Sequence, residues 1–103
     1  MEDIIYHITE EIYFESQKQA GEYFPPTFIE EGFIHLSTKN QVANTLKRYY
    51  AGKTGIILLH IDSNKIVSEL KYELATNGEL FPHIYGPINL DAIIEIEKLA
   101  QIN

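Results

Sequence analysis

The chain has 103 residues, 45% of them hydrophobic, and fifteen acidic against eight basic side chains leave a net charge of -7, which describes one acidic domain with a modest core. The absence of cysteine excludes thiolate catalysis, iron–sulfur clusters and zinc-finger ligation. A single arginine, Arg48, on a chain whose field repels polyanions excludes a broad nucleic-acid surface.

Residues 4–8 are rich in β-branched and aromatic side chains and predict a first strand. Thr9 follows as a helix cap with Glu10 and Glu11 in the first turn, where negative charge meets free amides. Ile12, Ser16, Ala20 and Tyr23 recur at steps of four and three and predict a helix of about three turns ending near Gly21. Pro25-Pro26 closes that segment, and residues 27–31 form a short helix or an irregular approach.

A second strand is expected over residues 33–36, after Gly32. Thr38-Lys39-Asn40-Gln41 has the spacing of a capping box, and Val42, Leu46 and Tyr49 predict a helix that stops by Gly52. Residues 55–61 are a near-continuous apolar run that reads as a central strand, ended by Asp62-Ser63-Asn64. Ile66, Leu70, Tyr72 and Leu74 share one parity and Glu69, Lys71 and Glu73 the other, which predicts a half-buried strand with Glu73 turned away from the core. Asn77-Gly78 marks a turn, and residues 92–99 fit a last strand, with a short helix as the alternative. Together these predict a single α+β domain over residues 1–103, with two early helices on a twisted, mostly antiparallel sheet.

The candidate chemistry lies in a repeated arrangement. Tyr6-His7-Ile8-Thr9 and Phe33-Ile34-His35-Leu36-Ser37 each carry a histidine and a hydroxyl two residues later, and Phe81-Pro82-His83-Ile84-Tyr85-Gly86-Pro87 brings a third histidine. The strand period puts His7 with Thr9 on one face and His35 with Ser37 on one face, opposite Tyr6 and Ile8 or Ile34 and Leu36, which predicts a polar groove backed by an apolar core. Glu73 is expected to anchor a hydroxyl or steady a positive charge in such a groove, and Tyr72 and Tyr85 to stack on a planar ring.

Three imidazoles, His7, His35 and His83, also suit a transition metal and hence a metal-dependent hydrolase, although none lies in the compact spacing that offers two ligands from one helix. No resident metal or cofactor is assigned. His60, inside an apolar strand, reads as a structural hydrogen-bonding residue.

Four blocks carry a family resemblance: Tyr6-His7-Ile8; residues 31–38 (EGFIHLST) with Gln41-Val42; Leu70-Lys71-Tyr72-Glu73; and residues 81–88 (FPHIYGPI). In order and spacing they resemble the small domain family of unknown function numbered 952 over almost the whole chain. Where that family usually has a tryptophan in the first helix, this chain has the neighbourhood of Ile12-Tyr13-Phe14.

The resemblance implies a fold similar to that of ADP-ribosyltransferases, enzymes that split NAD between nicotinamide and ribose using an early His-x-Thr or His-x-Ser strand, stacking aromatics and a later glutamate. Either His7 with Thr9 or His35 with Ser37 matches the first element, and Glu73 is the looser candidate for the last.

The expected function is a groove holding a nucleotide-like or small polar ligand. His35, Glu73 and His83 are the catalytic candidates, His7, Thr9, Ser37, Tyr72 and Tyr85 the binding ones, and NAD is a candidate substrate rather than a cofactor. A non-catalytic ligand- or protein-binding module is the alternative. Met1 to Tyr6 has no basic region leading into a long apolar stretch, and Ile56-Ile57-Leu58-Leu59 is far too short for a bilayer. A cytoplasmic protein, monomeric or weakly dimeric and without a membrane or nucleic-acid partner, is therefore expected.

Overall fold

The computed structural model describes residues 3–103. The expectation of no leader segment rests partly on Met1 and Glu2, which lie outside the described residues. Nine strands and three helices follow the order β1 (Ile4–Glu10), α1 (Glu11–Gln17), β2 (Lys18–Gln19), β3 (Glu22–Tyr23), α2 (Phe28–Glu31), β4 (Ile34–His35), α3 (Val42–Tyr49), β5 (Ile56–Asp62), β6 (Glu69–Leu74), β7 (Leu80–Tyr85), β8 (Ile88–Asn89) and β9 (Ile93–Lys98) among the described residues.

All pairing is antiparallel, in three small sheets ordered β1-β5-β9, β2-β3-β8 and β4-β7-β6. The fold is thus a mixed α and β architecture on antiparallel sheets. A single bridge, Tyr6 to Ser37, joins the first sheet to the third, with Tyr6 N–H donating to Ser37 O at 2.9 Å and Ser37 N–H to Tyr6 O at 2.8 Å.

The apolar run of β5 makes it the central strand of its sheet, with Ile57, Leu59 and Ile61 buried on one side and Ile56 and Leu58 on the other. The first side meets Ile5, Phe14, Tyr23, Ile34 and Ile84 in the main core. The second, with Ile8, lies under Val42, Leu46 and Tyr50 of the α3 region. Because β1 is also covered on both faces, His7 and Thr9 share their face with Ile5 and the main core, whereas the alternation had assigned the apolar backing to Tyr6 and Ile8. Period two sorts side chains into two faces but does not say which face is dry.

The first helix also differs from expectation. Thr9 belongs to β1, Glu10 occupies the cap position without a side-chain cap bond, and α1 runs only to Gln17. A hairpin follows, with Ala20 (φ 52°) and Gly21 (φ 80°) as its two-residue turn and Tyr23 on the returning strand. A glycine at positive φ serves a helix stop and a tight hairpin turn equally well, so Gly21 was legible as a chain reversal but not as which one. The second helix keeps its expected start, with Gln41 Oε1 accepting from Thr38 N–H at 2.9 Å, after one 3₁₀ turn over residues 39–41. Gln41 Nε2 also donates to Leu80 O at 2.8 Å, which ties this helix to β7.

Gly86 has a φ of 155°, and a Cβ there would collide with Oγ and Cβ of Ser68, whose hydroxyl donates to Pro87 O at 2.8 Å. Gly86→Ala is expected to destabilise the fold by about 1–3 kcal/mol through overpacking and backbone strain. Urea unfolding midpoints measure this, and an unchanged midpoint would contradict the close packing of β6 against the chain beyond β7.

Candidate functional site

Antiparallel register decides which side chains meet. His35 of β4 pairs with His83 of β7, and His83 pairs with Lys71 of β6, so both imidazoles project from one face of that sheet. Glu73 and Tyr85 share this face by parity.

His83 Nδ1 lies 2.8 Å from Glu73 Oε1, and the Tyr85 hydroxyl donates to the same oxygen. A carboxylate only accepts, so Nδ1 of His83 carries a proton, and in the neutral ring Nε2 is then the acceptor. Hydrogen bonds from Tyr85 and then His83 hold the Glu73 carboxyl below its ordinary range, and the same contact raises the Tyr85 phenol.

His35 forms a parallel dyad with Glu31, its Nε2 donating to Oε2 at 2.9 Å, while its Nδ1 makes no hydrogen bond among the described residues. Burial pushes the Glu31 carboxyl up, but hydrogen bonds from His35 and Thr27 outweigh it and keep the group below the usual carboxylate range. The two imidazole centroids are 5.0 Å apart. Phe33 fills the angle between the dyads, stacked on His83 at 4.4 Å, edge-on to His35 at 4.8 Å and tilted to Tyr85 at 5.4 Å.

His7 does not join that pair. Its Nδ1 lies 2.8 Å from the carbonyl of His35, which can only accept, and its Nε2 faces the Tyr23 hydroxyl at 3.2 Å, which meets Thr9 Oγ1 at 3.1 Å. Both nitrogens are thus engaged inside the fold. Burial lowers the His7 pKa to about 4 and raises that of Tyr23 to about 12. The ring links β1 to β4 beside the Tyr6–Ser37 bridge, and it reaches the site through the backbone of His35. The three-imidazole metal geometry is therefore not assembled: two rings converge and the third is committed elsewhere. Ser37 is buried, 3.4 Å from the Thr45 hydroxyl. Tyr72, opposite the buried Pro82, faces the other side of the sheet from Glu73.

An open groove of about 910 Å³ runs past these groups. His7, Thr9, His35, Ser37 and His83 line it, together with Asn44, Thr45 and Arg48 of α3. Glu73 and Tyr85 stand behind His83 rather than on the lining. The sequence signals for Phe33 and Glu31 are the shared parity of Phe33, His35 and Ser37 and the four-residue step from Glu31 to His35, neither of which marks a site by itself. Tyr23 was missed because it was assigned to a helix. Among the described residues no helix is long and apolar enough to cross a membrane.

Among curated proteins, none matches this chain. Its fold is similar to that of protein CC0527 from Caulobacter crescentus, solved by X-ray crystallography, with 26% sequence identity and a TM-score of 0.81 over 90% of this chain and 82% of that one. The solution NMR structure of CC0527 gives a TM-score of 0.80 at 26% identity over 96% and 86% of the two chains. Residues 8–96 match the family described as "Protein of unknown function (DUF952)", a span that includes both dyads, and the chain belongs to that family.

Proposed function

We propose that the groove binds a nucleotide-like ligand with its ribose against His35 and His83, and that the site cleaves the glycosidic bond at that sugar. The observation that carries this reading is the fixed dyad, in which one Glu73 oxygen receives both His83 Nδ1–H and the Tyr85 hydroxyl, so that Nε2 is the acceptor of the neutral ring.

With NAD as substrate, the bond between nicotinamide nitrogen and ribose carbon breaks and its electron pair leaves with nicotinamide. Water bonds to the sugar carbon, and its proton passes to Nε2 of His83. Glu73 orients that ring and favours the cationic sugar by its charge.

The groove volume falls within the range of about 300–1,000 Å³ typical of small-ligand sites. Arg48, the chain's one arginine, lines the groove with Lys53 and meets the need for a phosphate-binding cation. The ADP-ribosyltransferase likeness belongs to this reading, with His7-x-Thr9 supporting the site from below and Glu73 as the late acid. Incubation with NAD is expected to release nicotinamide, read by chromatography. Neither release nor saturable binding of NAD, ADP-ribose or AMP would remove the proposal.

A further inference from the structure

The structure assigns a divalent-cation site, separate from the two dyads, to His60 of β5 with Glu95 and Glu97 of β9. His60 is paired with Glu95 in register, and Glu97 lies diagonally across. Nε2 of His60 is 2.8 Å from Glu97 Oε1, and Nδ1 is 4.0 Å from Glu95 Oε1. One ligand atom from each of the three lies within 4.8 Å of the others.

Ligands about 2.1 Å from a tetrahedral ion stand about 3.4 Å apart, so closure requires a shift of up to roughly 1.4 Å. The two glutamates are free to supply it. Their side chains are 60% and 45% exposed, and among the described residues neither forms an ion pair with a lysine or arginine. The imidazole is the fixed member, 19% exposed and held edge-on by the Tyr6 ring at 5.0 Å.

Two carboxylates without a lysine or arginine partner among the described residues thus converge on one oriented imidazole, on a chain of net charge -7. A cation that takes the place of the Nε2 proton, which moves to Nδ1 in the other neutral tautomer, binds Nε2 and both carboxylates and leaves further positions to water. One nitrogen and two oxygens select a borderline first-row ion such as Zn²⁺, Co²⁺ or Ni²⁺ over Mg²⁺, which prefers oxygen alone. Bound there, the ion joins β5 to the edge strand β9 and stabilises the folded state by mass action.

Calorimetric titration of the full chain with Zn²⁺ at neutral pH tests this. Saturable binding is expected in the wild type, weakened at least about tenfold in His60→Gln and in Glu97→Gln, and retained in His83→Ala. Absence of saturable binding below about 1 mM would overturn the assignment, as would undiminished binding in both variants or binding lost only with His83. Should the variants fold poorly, Mn²⁺ added to the wild type decides by NMR. Selective broadening at Tyr6, His60 and Glu97 supports the site, and broadening centred on His83 or absent from His60 refutes it.

Discussion

Glu73→Gln is expected to lower nicotinamide release by about a hundredfold or more, and His83→Ala by a similar factor, while the fold stays intact. An amide in place of the carboxylate can donate as well as accept, so it no longer fixes Nδ1 of His83 as the protonated nitrogen and Nε2 as the acceptor. Loss of general acid–base catalysis is worth about 10²–10⁴-fold. Tyr85→Phe removes one of the two donors to Glu73 and leaves the dyad in place, so a smaller loss, within about tenfold, is expected. The loss in Glu73→Gln should fall on kcat with KM little changed, because Glu73 stands behind the groove wall rather than on it. Steady-state kinetics on all three variants measure this. An unaltered kcat in Glu73→Gln would contradict the orienting role.

Acidification is expected to weaken the fold through His7. The folded chain holds that pKa at about 4, against 6.5 for an exposed histidine, because the ring is buried in the main core. Between those two pH values the unfolded chain binds a proton that the folded chain refuses. Stability is therefore complete above pH 6.5 and falls as the pH drops toward 4, by about 1.4 kcal/mol per pH unit and about 3 kcal/mol in all. His7→Gln removes the titration and is expected to flatten this part of the profile, at a cost near neutral pH of about 1–3 kcal/mol for the disturbed contacts with the His35 carbonyl and Tyr23. Urea unfolding at pH 7 and pH 4.5 on both chains gives the difference directly, since the carboxylates titrate alike in each. Equal pH dependence in the two chains would refute the assignment.

Two of the strands were legible because their patterns are local. Alternation along residues 69–74 placed Glu73 away from the core, and the apolar run of β5 gave a central strand. The capping box at Thr38 was equally plain, since both partners lie within one turn. What could not be read depends on contacts far apart in the chain. Pairing of His35 with His83 spans 48 positions, and nothing in either block specifies the register that makes them neighbours.

His7 shows the opposite limit. Its motif, a histidine followed by a hydroxyl at the strand period, is the same as that around His35, yet one ring is buried with both nitrogens engaged and the other is 57% exposed. The difference comes from what covers each strand. β1 receives Phe14 and Tyr23 from the segment after it, a hairpin that the helical spacing of Ile12, Ser16, Ala20 and Tyr23 concealed. The face of β4 that carries His35 receives only Phe33 and the neighbouring dyad, which leaves it open to the groove.

The most direct test of the central claim follows the imidazole nitrogens of the wild-type protein by long-range proton–nitrogen NMR during titration with ADP-ribose. The account predicts His83 protonated on Nδ1 in the free protein, with ligand-dependent shifts at His83 and His35 that saturate together, while His7 and His60 stay fixed. Ligand-induced shifts confined to His60, or a His83 ring protonated on Nε2 and indifferent to ligand, would contradict it.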